Sequence, residues 1–197
     1  MSSEVKANKV SPATGTDFTF GDSGDTFTVP SGATLAVTGA TVTGLSAGKV
    51  LQVVNTIDQT SASGTGILSW ESTSAITTSM GTEFLTASIT PNSATNRLVI
   101  QCNWNGTAAG GGTISIALFQ DATTNALACV AGGATGYSPP YSISMLYEMA
   151  AGTTSATTFK IRAGANGAST TYMNNWSGGF AWGGTPVSTL QIWEIEV

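Results

Sequence analysis

The feature of this sequence that most constrains its fold is a series of very short β-like segments within residues 17–45, DFTFGDSGDTFTVPSGATLAVTGATVTGL. Each has three or four residues and ends at a Gly, Pro or Asp turn signal; the four are Phe18–Phe20, Thr26–Val29, Leu35–Thr38 and Thr41–Thr43. Such segments bury too little apolar surface to offset the entropy of ordering them. They need neighbours, and the nearest are other copies of the chain, so the pattern predicts an assembly protein rather than a self-contained enzyme.

The composition is that of a folded protein with few charges. Charged residues make up 9% of the 197 residues and hydrophobic residues 41%. Disordered chains combine high charge with few apolar residues, so we expect this chain to fold. The net charge is −5, from 11 acidic and 6 basic residues. No basic patch is present, so nucleic-acid binding is not expected.

Neither the N-terminus nor the apolar content indicates export or membrane insertion. The first ten residues, MSSEVKANKV, lack the apolar segment of a signal peptide, and no run of 18 apolar residues occurs. We therefore expect synthesis in a cytoplasm without a recognisable export signal. Cys102 and Cys129 lie in apolar strand patterns, which predicts buried free thiols, with a disulfide between neighbouring strands as the alternative.

Alternation of apolar and polar residues predicts an all-β fold. Apolar residues occupy every second position in four segments: Leu98/Ile100/Cys102/Trp104, Ile114/Ile116/Leu118, Tyr141/Ile143/Met145/Tyr147/Met149 and Phe159/Ile161/Ala163. Further strands are expected at Lys49–Ile57, Ile67–Glu71, Glu83–Thr90, Leu127–Ala131, Thr170–Trp176 and Thr189–Val197. Helical periodicity is nearly absent, so crossover helices are lacking. The pattern favours an antiparallel β-sandwich of jelly-roll type.

Two finer expectations concern the last strand and the domain boundary. Leu190 and Ile192 are out of phase with Trp193, Ile195 and Val197, which predicts a bulge near Ile192 or a strand covered on both faces. All five Trp follow the short segments. We therefore predict two parts, an attachment arm or short β stalk at residues 1–45 and a sandwich head at residues 46–197, which is long enough to bury a core.

Motifs that suggest catalysis or metal binding have simpler explanations as turns. Gly21–Gly24, GDSG, resembles the surroundings of a serine-protease nucleophile, but the chain has no histidine to act as its base. Asp17, Asp22 and Asp25 fit no EF-hand spacing. Gly110–Gly112 lacks the Lys-Ser/Thr of a phosphate loop. We therefore expect no catalytic residues, no metal and no cofactor.

Carboxylate chemistry remains the alternative for an enzyme. Two acidic side chains are enough to cleave a glycan. The chain's candidates are dispersed, namely Glu71, Glu83, Glu148, Glu194 and Glu196. A glycan-cleaving enzyme would need an arrangement of these groups that the sequence does not indicate, so we expect the protein not to be an enzyme.

Aromatic residues beside amides and glycines in the predicted connections form the main candidate binding site. A flat ring can stack on a sugar while nearby Asn side chains hydrogen-bond its hydroxyls. The candidates for a glycan site are Tyr137, Tyr141, Tyr172, Asn174, Asn175, Trp176 and Trp182. The alternative is that these rings close the ends of the sandwich or fill a subunit interface.

The whole pattern resembles bacteriophage virion fibre proteins, in particular the short fibre and tail-fibre-like proteins of marine tailed phages. The segments that carry the resemblance are VKANKVSPATGTDFTFGDSGDTFTVPSGATLAVTGATVTGL with AGKVLQVVNT, TEFLTASITPNSATNRLVIQCNWNG, AGTTSATTFKIRAG and STLQIWEIEV. The match is one of pattern over most of the chain and involves no invariant motif.

The resemblance implies a homotrimer located in the virion and assembled in the bacterial host cytoplasm. Its N-terminal arm would dock on other virion proteins, and its head would face outward to attach to the host surface. Long tail fibres carry extended shafts, whereas only residues 1–45 precede the head here. A capsid decoration, cement or head-fibre protein that binds capsid subunits is therefore the alternative.

Overall fold

The chain divides into two units, Met1–Thr43 and Gly44–Val197. The computed structural model describes residues 28–29, 31–34, 48–134, 140–176, 179 and 181–197. Apart from 28–29 and 31–34, the predicted arm and its short segments lie outside the described residues. The division into arm and head therefore stays a prediction.

The described part of the second unit contains ten β-strands. In chain order they are β1 (Val50–Asp58), β2 (Ala62–Gly64), β3 (Thr82–Ile89), β4 (Arg97–Ala108), β5 (Gly112–Gln120), β6 (Ala128–Ala134), β7 (Tyr141–Ala150), β8 (Thr157–Ala165), β9 (Thr171–Met173) and β10 (Ser188–Ile195). Between β9 and β10, Ala181–Gly184 form a kinked turn in which Trp182 and Gly183 have positive φ angles. Among the described residues, no helix has the length and apolar character needed to cross a membrane.

The strands form two antiparallel sheets. In the first, the long strands lie in the order β1-β10-β4-β7, while β9 pairs with the end of β4 and β2 pairs with β9. In the second, the order is β3-β8-β5-β6. Consecutive long strands mostly alternate between the sheets, and these two orders are those of an eight-stranded jelly roll. The predicted antiparallel β-sandwich of jelly-roll type is thus confirmed.

The main core lies between the sheets and uses the faces that alternation predicts. Leu98, Ile100, Cys102 and Trp104 of β4 are all buried, as are Ile114, Ile116 and Leu118 of β5 and Phe159, Ile161 and Ala163 of β8. On β7, Ile143 and Met145 are buried, and Tyr141, Tyr147 and Met149 are half-buried against the same core. Burial of each large apolar side chain contributes about 1.5–3 kcal/mol, so this shared face holds the sandwich together.

A second, smaller core lies on the outer face of the second sheet. Ala117 and Phe119 point away from the main core and are buried by Leu68, with Ile76 and Met80 packed around them. Leu68 belongs to the predicted strand Ile67–Glu71, and that prediction is wrong. These residues belong to the connection between β2 and β3. Their backbone forms no strand, because the Leu68 side chain packs on the outer face of β5.

The predicted bulge near Ile192 is absent. Both partners of β10 keep an unbroken register through Ile192, and the shift lies on β1, between Val50 and Gln52. The alternative expectation fits better, since Ile192 is buried while Trp193 and Ile195 on the opposite face are half-buried. The inner face of β10 continues into the buried Glu194.

The two cysteines differ in exposure. Both are free thiols; Cys102 is buried and Cys129 is exposed. The prediction of buried free thiols therefore holds for Cys102 and is wrong for Cys129. The reason is that Cys129 lies on β6, an edge strand, opposite Ala117 on the outer face of its sheet.

Candidate functional site

The connection between β2 and β3, residues 65–81, is fixed to the second sheet by backbone hydrogen bonds. The Leu68 N–H donates to the carbonyl oxygen of Ala165 at 3.0 Å. The Gly81 N–H donates to the carbonyl oxygen of Ile67 at 2.9 Å, which closes the segment on itself. Together with the apolar contacts of Leu68, these bonds hold the residues that follow it in place against β8.

Gly164 of β8 allows this segment to approach closely. A Cβ atom at residue 164 would lie in contact with the carbonyl oxygen of Gly66 and 2.7 Å from the Leu68 nitrogen. Both are backbone atoms, so they cannot turn away as a flexible side chain can. The absence of a side chain at Gly164 is therefore a condition for the observed path of residues 66–68.

We expect Gly164→Ala to push residues 66–68 off the sheet and to lower the free energy of unfolding by about 1–2 kcal/mol, because the added methyl group overlaps backbone atoms. Gly167→Ala is the matched control, since a Cβ there meets nothing within 4 Å. Urea unfolding of both variants checks this. Equal midpoints for the two variants would contradict the close approach.

Trp70 stands on this segment between two clefts and is 56% exposed. The first cleft, of about 290 Å³, lies over the outer face of β5 and β6; Trp70 lines it together with Leu68, Ile76, Ser115, Cys129 and Ala131. The second, of about 380 Å³, is lined by Trp70 with Gly111–Thr113 and Ala165–Ser169. The same ring thus forms a wall of both clefts.

Polar groups surround this ring in a connected network. The Ser69 hydroxyl donates to Asn166 Oδ1 at 2.5 Å, and Asn166 Nδ2 donates to Glu71 Oε2 at 3.3 Å. The Glu71 N–H in turn donates to Ser69 Oγ at 3.2 Å. These bonds fix the residues on both sides of Trp70 and keep amide and carboxylate groups beside an exposed ring. The arrangement suits a flat polar ligand that stacks on the ring and hydrogen-bonds at its edge.

The three tyrosines of the predicted glycan site lie in different situations. Tyr137 is outside the described residues. Tyr141 is half-buried against the main core, and its hydroxyl donates to the carbonyl oxygen of Gly112 at 3.1 Å. Burial raises the pKa of Tyr141 to about 12, although a backbone hydrogen bond with Ile114 opposes the rise. Tyr172 is half-buried on β9 and pairs with Thr107 and Ser63 on the neighbouring strands.

Among the remaining four predicted residues, the structure places Asn174 differently from the prediction. Asn174 is buried, and its Nδ2 donates to the carbonyl oxygens of Asp58 and Thr60 while its Oδ1 accepts from Ser188. This amide is fully engaged in joining the end of β1 to β10, so the expectation that it contacts a ligand is wrong.

The other three predicted residues are less buried than Asn174; they are Asn175, Trp176 and Trp182. Asn175 donates to Ser61 Oγ at 2.6 Å, and its own side-chain oxygen accepts from the Trp176 N–H. Trp176 is half-buried, whereas Trp182 is 63% exposed and has a positive φ of 42°. Asn174 and Asn175 thus gather around residues 58–61, while Trp182 stands apart from the clefts beside Trp70.

Sequence reasoning missed Trp70 because Ile67–Glu71 looked like an ordinary strand. In a strand, Leu68 and Trp70 would share one face and be buried together. In the structure Leu68 is buried and Trp70 is exposed. The available signal was the surrounding sequence, TSASGTGILSWESTSA, in which an aromatic residue stands among small and polar residues typical of a connection.

The dispersed carboxylates are placed differently from one another. Glu83 lies 3.5 Å from Lys160 and 3.7 Å from Arg162, and Glu148 lies 3.5 Å from Arg97. Glu194 is buried inside the sandwich, and Glu71 belongs to the network beside Trp70. Each of these four therefore has structural partners of its own.

The outer face of the first sheet carries exposed apolar side chains. Val53 and Ile57 of β1 are 50% and 62% exposed, and Leu146 of β7 is 69% exposed. The registers place Val53 beside Trp193 and Leu146 beside Gln101 on this face. A sheet face of this kind suits contact with another protein surface.

Comparison with known proteins adds little at the level of sequence: no protein-family model and no curated protein matches the chain. Among solved structures, one match is the CBM22-1 xylan-binding domain of Paenibacillus barcinonensis Xyn10C, with 12% identity, coverage of 77% of this chain and 98% of that chain, and a TM-score of 0.37. Another is the enzymatically active domain of bacteriophage CBA120 tailspike protein 4, with 13% identity, coverage of 62% of this chain and 18% of that chain, and a TM-score of 0.27. At such scores neither match bears on function, which has to be argued from the residues of this chain.

Proposed function

We propose that the protein is a non-enzymatic virion component, a short trimeric phage fibre whose β-sandwich head attaches to a glycan on the host surface. The observation that carries the proposal is the position of Trp70, an exposed ring between two clefts with fixed polar groups beside it. Tryptophan is enriched where proteins contact their partners, because its ring offers a large apolar face together with a polar N–H group.

A glycan is the ligand that this combination suits best. Sugars present an apolar ring face to an aromatic side chain and hydroxyl groups to amides and carboxylates at the ring edge. Asn166, Glu71 and Ser69 supply such groups within one network around Trp70. Both clefts are partly open to solvent, so the affinity of one site is expected to be modest.

Trimer formation would compensate for a weak single site. Three heads on one fibre, and many fibres on one particle, can raise the avidity by roughly 10²–10⁴ without further contacts. In this proposal the arm at residues 1–45 docks on other virion proteins. The exposed apolar side chains on the outer face of the first sheet, Val53, Ile57 and Leu146, would face protein neighbours in the assembly.

That apolar face also favours a second candidate function, a capsid decoration or cement protein. Its contacts would then be with capsid subunits, and receptor binding would be absent. Binding of the purified protein separates the two candidates. A fibre head binds host cells without other virion proteins, whereas a decoration protein binds only the capsid.

We expect Trp70→Ala to weaken binding to host cells about thirtyfold or more, because truncation of a central aromatic contact typically costs about 2 kcal/mol at each site. Trp182→Ala is the matched control, since Trp182 is similarly exposed and lies outside both clefts. Flow cytometry of labelled full-length protein measures binding, and light scattering verifies that each variant keeps the wild-type mass.

The opposite ranking would identify a different site. If Trp182→Ala abolished binding and Trp70→Ala did not, the residues predicted from the sequence around Trp182 would form the receptor site. If the wild type bound capsids and not cells, the fibre proposal would fail in favour of capsid decoration.

A further inference from the structure

The floor of the first cleft beside Trp70 belongs to the second sheet, and its walls come from the connection between β2 and β3, residues 65–81. The register places Ser115 of β5 opposite Ala131 of β6, and Ala117 opposite Cys129, on the outer face of the sheet. Leu68 and Ile76 of the segment stand over this floor. The result is a small, largely apolar pocket of about 290 Å³ that opens beside the exposed tryptophan ring.

Ser115 places a hydroxyl group on this apolar floor, and that hydroxyl is unsatisfied. The residue is 4% exposed, and its Oγ is buried without any hydrogen-bond partner among the described residues. Leaving such a group unpaired costs about 1–3 kcal/mol. Native proteins retain few buried polar groups in this state, and each needs an explanation. A ligand atom that enters the cleft and bonds to this hydroxyl supplies one.

The surroundings define the chemistry of that ligand. It must present a small apolar group to Leu68 and Ile76, a hydrogen-bond acceptor to the Ser115 hydroxyl, and a flat face to the ring of Trp70. Ser69 and Ser72 also line the cleft, but hydroxyls of a plain hexose that lie against Leu68 and Ile76 would lose their hydrogen bonds, which is unfavourable. An acetamido substituent combines a methyl group and a carbonyl oxygen on a sugar ring and meets all three requirements.

We propose that the cleft between Trp70 and Ser115 binds the acetamido group of an N-acetylated sugar, so that the head selects N-acetylhexosamine-containing glycans. The inference rests on the proposed function, since it names the substrate class of the same site. The sugar ring stacks on Trp70, the methyl group enters between Leu68 and Ile76, and the carbonyl oxygen accepts a hydrogen bond from Ser115 Oγ. The second cleft beyond Trp70 receives the next sugar of the chain.

Cys129 gives a direct readout of occupancy. It is an exposed thiol that lines this cleft, whereas Cys102, the other cysteine of the chain, is buried in the main core. Burial raises the pKa of Cys102 to about 12 and also raises the pKa of Cys129, so preferential alkylation of Cys129 is expected from its exposure rather than from its pKa. Mass spectrometry after digestion confirms the labelled position. A ligand seated on Ser115 covers the thiol and slows its alkylation.

The test compares chitotriose with cellotriose, which share their linkage and differ in the acetamido groups. With full-length protein and equal sugar concentrations, chitotriose is expected to slow iodoacetamide labelling of Cys129 severalfold, while cellotriose has little effect. Ser115→Ala is expected to reduce the preference for chitotriose about tenfold, the value of one well-formed hydrogen bond. Folding of this variant is secure, because the hydroxyl it removes has no partner in the described part of the chain.

The outcomes separate this inference from the proposed function. Equal protection by both sugars, or an unchanged preference in Ser115→Ala, overturns the acetamido pocket and leaves glycan binding intact. Absence of protection by chitotriose, combined with cell binding that depends on Trp70, also overturns the pocket. If neither sugar protects and cell binding is indifferent to Trp70, the proposed glycan site fails as well.

Discussion

Replacing Glu194 by glutamine is expected to lower the free energy of unfolding by about 3 kcal/mol. Its carboxylate is buried, and all five hydrogen bonds to it come from N–H groups. Oε1 accepts from the N–H groups of Asn92 and Ser93 at 2.7 and 3.3 Å and from Asn96 Nδ2 at 2.6 Å. Oε2 accepts from Gln52 Nε2 at 2.6 Å and Asn92 Nδ2 at 2.8 Å. An amide nitrogen in either position would face donors, and a buried charged network broken in this way costs several kcal/mol.

Rotation of the neighbouring amides cannot repair the loss. Gln52 Nε2 also donates to the carbonyl oxygen of Thr90 at 2.8 Å, so turning the Gln52 amide to accept from the newly introduced amide would break that bond. The network ties β10 and β1 of the first sheet to residues 90–96, which connect β3 of the second sheet to β4. Its disruption therefore loosens the join between the two sheets.

The same group makes stability depend on acidity. Burial by itself raises the pKa of Glu194, but hydrogen bonds from Gln52, Asn96 and Asn92 outweigh it and lower the pKa from 4.5 to about 2. Because the folded pKa is below the unfolded one, the contribution is complete above pH 4.5 and is lost as the pH falls towards 2. It amounts to about 3 kcal/mol at most.

Urea unfolding at about pH 7, where the contribution is complete, and at about pH 2.5, where most of it is lost, measures both effects. The wild type should lose most of this contribution at the lower pH, and Glu194→Gln should lose much less between the two conditions. Glu148→Gln is the control, since Glu148 is exposed and its ion pair with Arg97 is at the surface. That variant should stay within about 0.5 kcal/mol of the wild type. Equal stability of the two variants at neutral pH would contradict the role of Glu194.

The parts of the fold that could be predicted are those set by local alternation. On β8 the apolar residues Phe159, Ile161 and Ala163 alternate with Lys160 and Arg162. The face that carries the apolar residues is buried, as expected. A two-residue period determines which side chains turn inward, whatever the partner strands are. For the same reason the all-β class and the sandwich followed from the pattern.

Glu194 shows where that reasoning stops. Leu190 and Ile192 are out of phase with Trp193, Ile195 and Val197, which predicted either a bulge near Ile192 or a strand covered on both faces. The structure keeps the phase and buries the charge, because five donors arrive from residues that are far away in the chain. Hydrogen bonds from residues that are far away in the chain do not change the apolar–polar alternation of the segment that contains the buried polar group.

The candidate site was predictable in kind but not in position. An exposed aromatic ring beside amides was expected, and Trp70 with Asn166 has that character. The two residues are joined through Ser69 and come from segments far apart in the chain, so no local motif contains them. Asn174 illustrates the reverse error, since its local setting resembles a binding loop while its amide serves to join two strands.

Gly106→Ala is expected to destabilise the sandwich by about 3 kcal/mol, because both edges of β4 are occupied at this residue. Gly106 pairs with Tyr141 of β7 on one side and Met173 of β9 on the other. A Cβ atom at Gly106 would overlap the carbonyl oxygen of Tyr172 and lie 2.6 Å from Cη2 of Trp104. The Tyr172 oxygen is a backbone atom and the Trp104 ring is fully buried, so neither group can easily move away from the added methyl group.

Relief of this overlap requires β9 to leave β4. That movement would expose Met173, which is buried in the main core, and would cost the hydrogen bonds of three paired residues. Overpacking that forces a backbone shift typically costs about 1–3 kcal/mol, and loss of part of a buried strand places this variant at the upper end. Tyr172 would move with β9, so cell binding of the variant also reports whether that residue matters.

Gly132→Ala is the matched control for a glycine within a strand. A Cβ atom there would lie 3.2 Å from Cγ1 of Ile143, a side-chain atom that can shift by a few tenths of an ångström. We expect that variant to lose less than about 1 kcal/mol. Urea midpoints for the two variants give the comparison. If Gly106→Ala unfolded at the midpoint of Gly132→Ala, the close approach of β9 to β4 would be wrong, and with it the path of the chain from Tyr172 to Asn174.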